Sequence, residues 1–180
     1  MTEQELIGGC KINNTAYQKL LFDKYSGIMM TVCLRYACDQ SEAEDMLQEG
    51  FVRVFGYIHQ YRFEGRLEGW LKRIIVNAAL RILQRKVILF SEIDEHVEGK
   101  HLEDTDPFST LQEREILQLI SNLPTGYRVV FNMYVIEGYS HNEIAAILGV
   151  NSGTSRSQLA KAKKLLRQQI LQQQKLSTDE

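Results

Sequence analysis

Apolar side chains recur at intervals of three and four along almost the whole chain, and only two prolines, Pro107 and Pro124, interrupt it. That spacing draws one apolar stripe down a helix, whereas a half-buried strand needs strict alternation. Ala43, Leu47, Phe51, Val54 and Ile58 form one such stripe, and Leu71, Ile75, Ala79, Ile82 and Leu83 form another. Turn signals have no regular spacing, so a sandwich or barrel of short strands does not fit. The fold class read from the pattern is all-α.

Local signals set the expected ends of these helices. Ser41 followed by Glu44 predicts a capping box opening the first stripe, and the second helix is expected from about Glu68 to Lys86. Leu111–Ser121 and Tyr127–Glu137 read as helices, with Pro124 near the start of the second and Gly138 as its stop. Ser140 and Glu143 make another capping box for a short helix closed by Gly149, and a last helix is expected from about Gly153 to Gln168. The glutamine-rich stretch beyond it reads as a frayed tail.

At 180 residues with 44% hydrophobic and 24% charged side chains, the chain can bury a core in one domain or two small ones. The division comes from charge. Residues 91–106 hold seven acids against one base, Lys100, show little helical periodicity and lead into Pro107. This predicts two small helical domains, 1–90 and 111–180, joined by a flexible acidic linker over 91–110. Cys10, Cys33 and Cys38 contain no C-x-x-C pair, so they read as small packed hydrophobes. No secretory signal or membrane span is apparent, and a cytoplasmic location with no membrane insertion is expected.

The formal net charge of −2 argues against a chain that binds nucleic acid by bulk charge, but the charge is strongly segregated. Residues 39–49 carry five acids and no base, residues 62–86 carry a local +5, and residues 151–178 carry a local +6 with no acid. Within the last stretch, residues 140–166 have the layout of a helix-turn-helix: a capped short helix, a glycine turn and a longer second helix. On that second helix Leu159, Ala162 and Leu166 share one side with Ser155. Arg156, Ser157, Lys161, Lys163, Lys164 and Arg167 face the other way and suit a phosphate-lined groove. A solvated basic surface is the plainer reading of such a face, but the preceding capped helix and the glycine turn favour DNA.

The run Gly138–Val150 followed by Gly153–Leu159 resembles the fourth domain of bacterial sigma factors. Ser41–Phe51 and Phe63–Asn77 resemble the second domain, in the right order and ahead of a linker. Together the resemblance covers most of Tyr17–Arg85 and Leu111–Arg167, and the short two-domain form is that of the extracytoplasmic-function group. It implies a non-enzymatic subunit that binds core RNA polymerase and promoter DNA, needs no cofactor, and is itself bound by an anti-sigma factor.

Carried onto this chain, the resemblance gives Asp45, Gln48, Glu49 and Val52 the contact with core polymerase. It gives Tyr61, Phe63, Gly65, Arg66, Asn77 and Arg81 the capture of the displaced minus-ten strand, where aromatic rings and arginines stack on and neutralise it. Trp70 is expected to pack. In the last helix Thr154, Arg156, Ser157, Gln158 and Lys161 would meet the minus-thirty-five element, while Lys163, Lys164 and Arg167 hold phosphates. Three positions depart from the family pattern: Ser155 where an apolar residue is usual, Gln158 where arginine is common, and Asn151 where a small residue or proline often stands.

Rival readings account for less. Carboxylates 42–49 binding a divalent metal would need a second cluster or a histidine at ligand spacing. His59, His96, His101 and His141 are scattered, and no phosphate loop or nucleophile motif suggests an enzyme. A stand-alone helix-turn-helix regulator explains residues 140–166 but leaves the acidic helix and the aromatic loop without a role.

Overall fold

The computed structural model describes residues 1–90 and 111–176, and every regular element among them is helical. The chain separates into two compact units, Met1–Lys86 and Val87–Glu180. The expected acidic linker over 91–110 lies outside the described residues.

The first unit holds α1 (Glu3–Lys11), α2 (Thr15–Tyr36), α3 (Gln40–Tyr57), a single tight turn at Ile58–Gln60, and α4 (Leu67–Phe90) as far as Lys86. Its core is the meeting of the predicted stripes: Ala43, Phe51, Val54 and Ile58 on one side, Leu71, Ile75, Ala79 and Leu83 on the other, with Leu21, Met29 and Cys33 of α2. Each large apolar side chain buried here is worth about 1.5–3 kcal/mol, which is what holds these helices to one another. At Gly50 α3 and α4 approach closely, since a Cβ there would run into the Ile75 side chain.

The start of α3 differs from the expectation. Asp39, not Ser41, is the cap: its Oδ1 accepts from the Glu42 N–H at 2.8 Å, and Ser41 lies inside the helix. Glu42 then folds back, its Oε2 accepting from the Cys38 N–H at 2.6 Å, and is buried. Cys10 and Cys33 are buried and Cys38 partly so. Burial pushes the Cys33 thiol up to about 12 despite the opposing charge of Arg35, and it raises Cys10 as well.

The second unit holds α5 (Leu111–Ser121), α6 (Thr125–Phe131), α7 (His141–Leu148) and α8 (Ser152–Leu176). Its core gathers Leu119, Ile120, Leu123, Val129, Val130, Met133, Ile144, Leu159 and Ala162. Arg128 is buried with them, its Nη1 donating to the Ser121 and Leu123 carbonyls at 2.9 and 3.2 Å. It thereby ties α6 to carbonyls at the end of α5 that have no partner within that helix. After α6 the backbone widens into a π turn over Asn132–Ile136, with Glu137 N–H bonding the Asn132 carbonyl at 3.0 Å. The last helix is longer than expected: it continues through the glutamine-rich stretch to Leu176. No helix among the described residues is long and apolar enough to cross a membrane.

Candidate nucleic-acid interfaces

With its apolar stripe in the core, α3 turns Glu44, Asp45, Gln48 and Val52 outward. Val52 is 67% exposed, an apolar side chain set among acids. Glu49 is half-buried and already engaged: Arg53 holds its Oε1 through Nε at 2.7 Å and Nη2 at 2.6 Å. Among the described residues, the exposed negative charge of this face lies at Asp45 and at Glu44, whose Oε1 accepts from Gln40 Nε2 at 3.0 Å.

Between α3 and α4 the backbone takes two unusual conformations. Gly65 has φ +111°, which only glycine adopts without strain, and Phe63 has φ +60°. A bulky residue held there costs on the order of 1–3 kcal/mol and persists only if its surroundings enforce it. They do. Lys11 Nζ donates to the Tyr61 carbonyl at 3.0 Å and stands 5.5 Å from the Phe63 ring centre. The Phe63 ring packs at 4.9 Å against Tyr61, which in turn meets Trp70 at 5.2 Å. The Tyr61 hydroxyl lies 3.0 Å from the Gly65 carbonyl and 3.3 Å from Glu3 Oε1 and shares its one proton between them. Burial, then the Glu3 carboxylate, raise the Tyr61 pKa and keep the phenol protonated.

Tyr61 therefore differs from the expectation of a DNA-facing ring. It is 4% exposed and supports the loop from beneath, while Phe63, 42% exposed, presents the accessible ring. In the same loop region a cleft of about 360 Å³ is lined by Arg62, Arg66 and Arg73 together with Tyr61, Trp70, Gln60, Glu64 and Gly69, so Tyr61 borders the cleft although little of it is exposed. Trp70 both packs on Tyr61 and lines this cleft. Along α4, Arg73, Asn77 and Arg81 are all exposed, extending a polar and basic row away from it.

In the second unit Ser140 and Glu143 form the predicted capping box. Glu143 Oε2 accepts from the Ser140 N–H at 2.8 Å and from its hydroxyl at 2.7 Å, which lowers the carboxyl pKa. Gly149 closes α7 at φ +70°. Asn151, one of the departures, caps α8 by accepting from the Thr154 N–H at 2.7 Å. Ser155, another, is fully buried, and its hydroxyl meets His141 Nδ1 at 2.9 Å, while the His141 ring stacks on Tyr134 at 4.4 Å. A polar residue is thus accommodated where α7 meets α8.

On α8, Arg156, Ser157, Lys161, Lys163, Lys164 and Arg167 are all exposed on one face, as the spacing predicts. The Ser157 hydroxyl donates back to the Thr154 carbonyl at 2.9 Å, and Lys161 reaches over the Tyr127 ring at 5.8 Å. Thr154 is half-buried. Gln158 departs from the expected DNA face: its Oε1 is buried and lies against Gly126, where an added Cβ would come within 2.9 Å. The rotation of α8 that buries Ser155 and Leu159 turns Gln158 toward α6. Lys11, Glu3 and His141 carry no local sequence signal for these roles, because their contacts cross 14 to 58 residues.

Two family models match the chain: sigma-70 region 2 over residues 21–87 and sigma-70 region 4 over residues 113–166. The ECF RNA polymerase sigma-E factor of Haemophilus influenzae is 27% identical over 182 residues, covering 94% of this chain and 96% of the relative. The ECF RNA polymerase sigma factor SigE of Mycolicibacterium smegmatis is 33% identical over 138 residues, or 74% of this chain and 53% of the relative. Among solved structures, the sigma factor RpoE of Bartonella quintana, crystallised with the anti-sigma factor NepR, is similar in fold. It has a TM-score of 0.52 at 17% identity, covering 83% of this chain and 94% of that one.

Proposed function

The chain belongs to the extracytoplasmic-function group of the sigma-70 family and directs promoter-specific initiation of transcription, and from this we propose how its surfaces divide that work. Residues 1–90 engage core RNA polymerase and the minus-ten element, residues 111–180 engage the minus-thirty-five element, and 91–110 link them. The subunit is cytoplasmic and performs no chemistry of its own, since polymerase makes the bonds.

The observation that carries this division is the exposed Phe63 packed on Tyr61, which together with three arginines lines the neighbouring cleft. A ring available for stacking next to guanidinium groups suits an unstacked base and its phosphates. Arg66, Asn77 and Arg81 continue the path of the strand, with Gly65 allowing the turn. On α3, Asp45, Gln48 and Val52 meet polymerase directly, and Glu49 contributes together with Arg53. On α8, Arg156, Ser157 and Lys161 read bases, while Lys163, Lys164 and Arg167 hold phosphates. An anti-sigma factor is the further partner, by analogy with the complex of the Bartonella quintana protein. A stand-alone regulator would have no use for the loop and cleft of the first unit.

Transcription in vitro with purified core polymerase, with and without this chain, tests the proposal. Start sites that depend on the added protein, lost with Phe63→Ala but retained with Tyr61→Phe, are the expected result. Failure of the chain to bind core polymerase overturns it.

A further inference from the structure

Helix α1 lies outside both matched spans, yet it holds the loop of the first unit through two side chains. It is itself firmly seated: Leu6, Ile7 and Cys10 are buried, and Gly9 lies directly against the Tyr17 ring. Lys11 closes this helix, and its ammonium makes two contacts at once, a 3.0 Å hydrogen bond to the Tyr61 carbonyl and a cation–π approach of 5.5 Å to Phe63. Glu3, at the other end of the same helix, reaches the Tyr61 hydroxyl.

We propose that Lys11 is a positioning residue for strand capture: it holds Phe63 in its left-handed conformation, so that the ring stands ready before DNA arrives. The inference rests on the reading of the loop given above. A left-handed phenylalanine does not persist unaided. A clamp that acts on the backbone of Tyr61 and on the ring of Phe63 together fixes both ends of the strained segment. Ordering the loop during folding removes that cost from the binding step, which is how preorganisation raises affinity. Because its ammonium is engaged with the loop, Lys11 acts through Phe63 and not as a phosphate ligand.

The test uses holoenzyme assembled on core polymerase with the wild-type chain, Lys11→Met and Lys11→Arg. Binding is measured to a single-stranded minus-ten oligonucleotide and to core polymerase, across a range of salt. Lys11→Met keeps the aliphatic stem but loses donor and charge. It should weaken single-strand capture about tenfold, the scale of one charge-assisted hydrogen bond, and leave core binding within about twofold. Lys11→Arg should restore most of the loss. The salt slope should stay unchanged, whereas loss of a phosphate contact would lower it by about one.

Equal capture by wild type and Lys11→Met overturns the proposal. So does a slope reduced by about one, which makes Lys11 a phosphate contact, or a loss of core binding in both variants, which makes its role one of folding. If wild-type holoenzyme itself takes up no single strand, the reading of the loop fails first, and this inference goes with it.

Discussion

His141 and Ser155 join α7 and α8 through a 2.9 Å hydrogen bond between Nδ1 and the hydroxyl of a fully buried serine. Ser155→Ala removes that partner from the part-buried ring nitrogen. The expected cost is about 1–2 kcal/mol, seen as a lower midpoint for thermal unfolding of the second unit. Ser155→Leu, although nearer the usual residue at this position, should cost more here because α7 and α8 have closed around a small side chain.

The cap of α7 gives a pH dependence with a definite sign. Glu143 has its pKa lowered in the folded chain by the Ser140 N–H and hydroxyl. Its contribution is therefore complete above the ordinary glutamate range and is lost as pH falls through the lowered folded value. Ser140→Ala keeps the N–H but loses the hydroxyl, so it should weaken this acid-side dependence without abolishing it, and it should cost about 1 kcal/mol at neutral pH, the usual worth of an N-cap. Circular dichroism melts of both proteins from pH 7 down to pH 3 would measure it.

Asp45→Lys and Glu49→Lys should separate the two carboxylates of α3. Asp45 is exposed, whereas Glu49 is held by Arg53. Reversal at Asp45 should weaken core polymerase binding about tenfold with the unfolding midpoint unchanged, an effect that fades at high salt. Reversal at Glu49 also sets two cations side by side on the helix and should lower stability as well. Fluorescence anisotropy with labelled protein checks the first, and thermal melts check the second.

The basic face of α8 should divide in the same manner. Arg156→Ala is expected to cost about 1–3 kcal/mol on the preferred minus-thirty-five sequence and to relax selectivity at one position. Lys163→Ala or Lys164→Ala should weaken all sequences alike and reduce the salt slope by about one each. Gln158→Ala, whose side chain lies against α6, should leave promoter selectivity unchanged. Binding of holoenzyme to a promoter library in two salt concentrations distinguishes these outcomes.

Gly65→Ala places a Cβ where φ is +111° but open space surrounds it. The cost is therefore backbone strain alone, about 1–2 kcal/mol, and it should appear chiefly as slower promoter opening. Permanganate reactivity of unpaired thymines, compared with core binding of the same variant, reads the two effects separately.

Much of this architecture is visible in residue spacing, because burial of a helix stripe is a local matter of every third and fourth residue. The faces of α3 and α4 follow from it directly, as does the acid-free face of α8. Ends were harder. Asp39 with Glu42 and Ser41 with Glu44 are overlapping cap signals, and the choice between them rests on Glu42 turning back to the Cys38 N–H. Buried polar residues were harder still. Arg128 looks like surface by type, yet it closes the end of α5, and Tyr61 looks like a stacking ring, yet it supports one. Lys11 shows why: a contact spanning 50 residues has no periodicity to betray it.

The π turn at Asn132–Ile136 has a consequence for what that segment encodes. An α-helix advances about 100° per residue, so the wider turn changes the directions in which its own side chains point. Tyr134, inside the turn, stacks on His141 at the start of α7, while Val130 and Met133 lie in the core. The segment thus stores information as length more than as composition. Deletion of a single residue within it would change where the Tyr134 ring points and should loosen its stack on His141 at the start of α7.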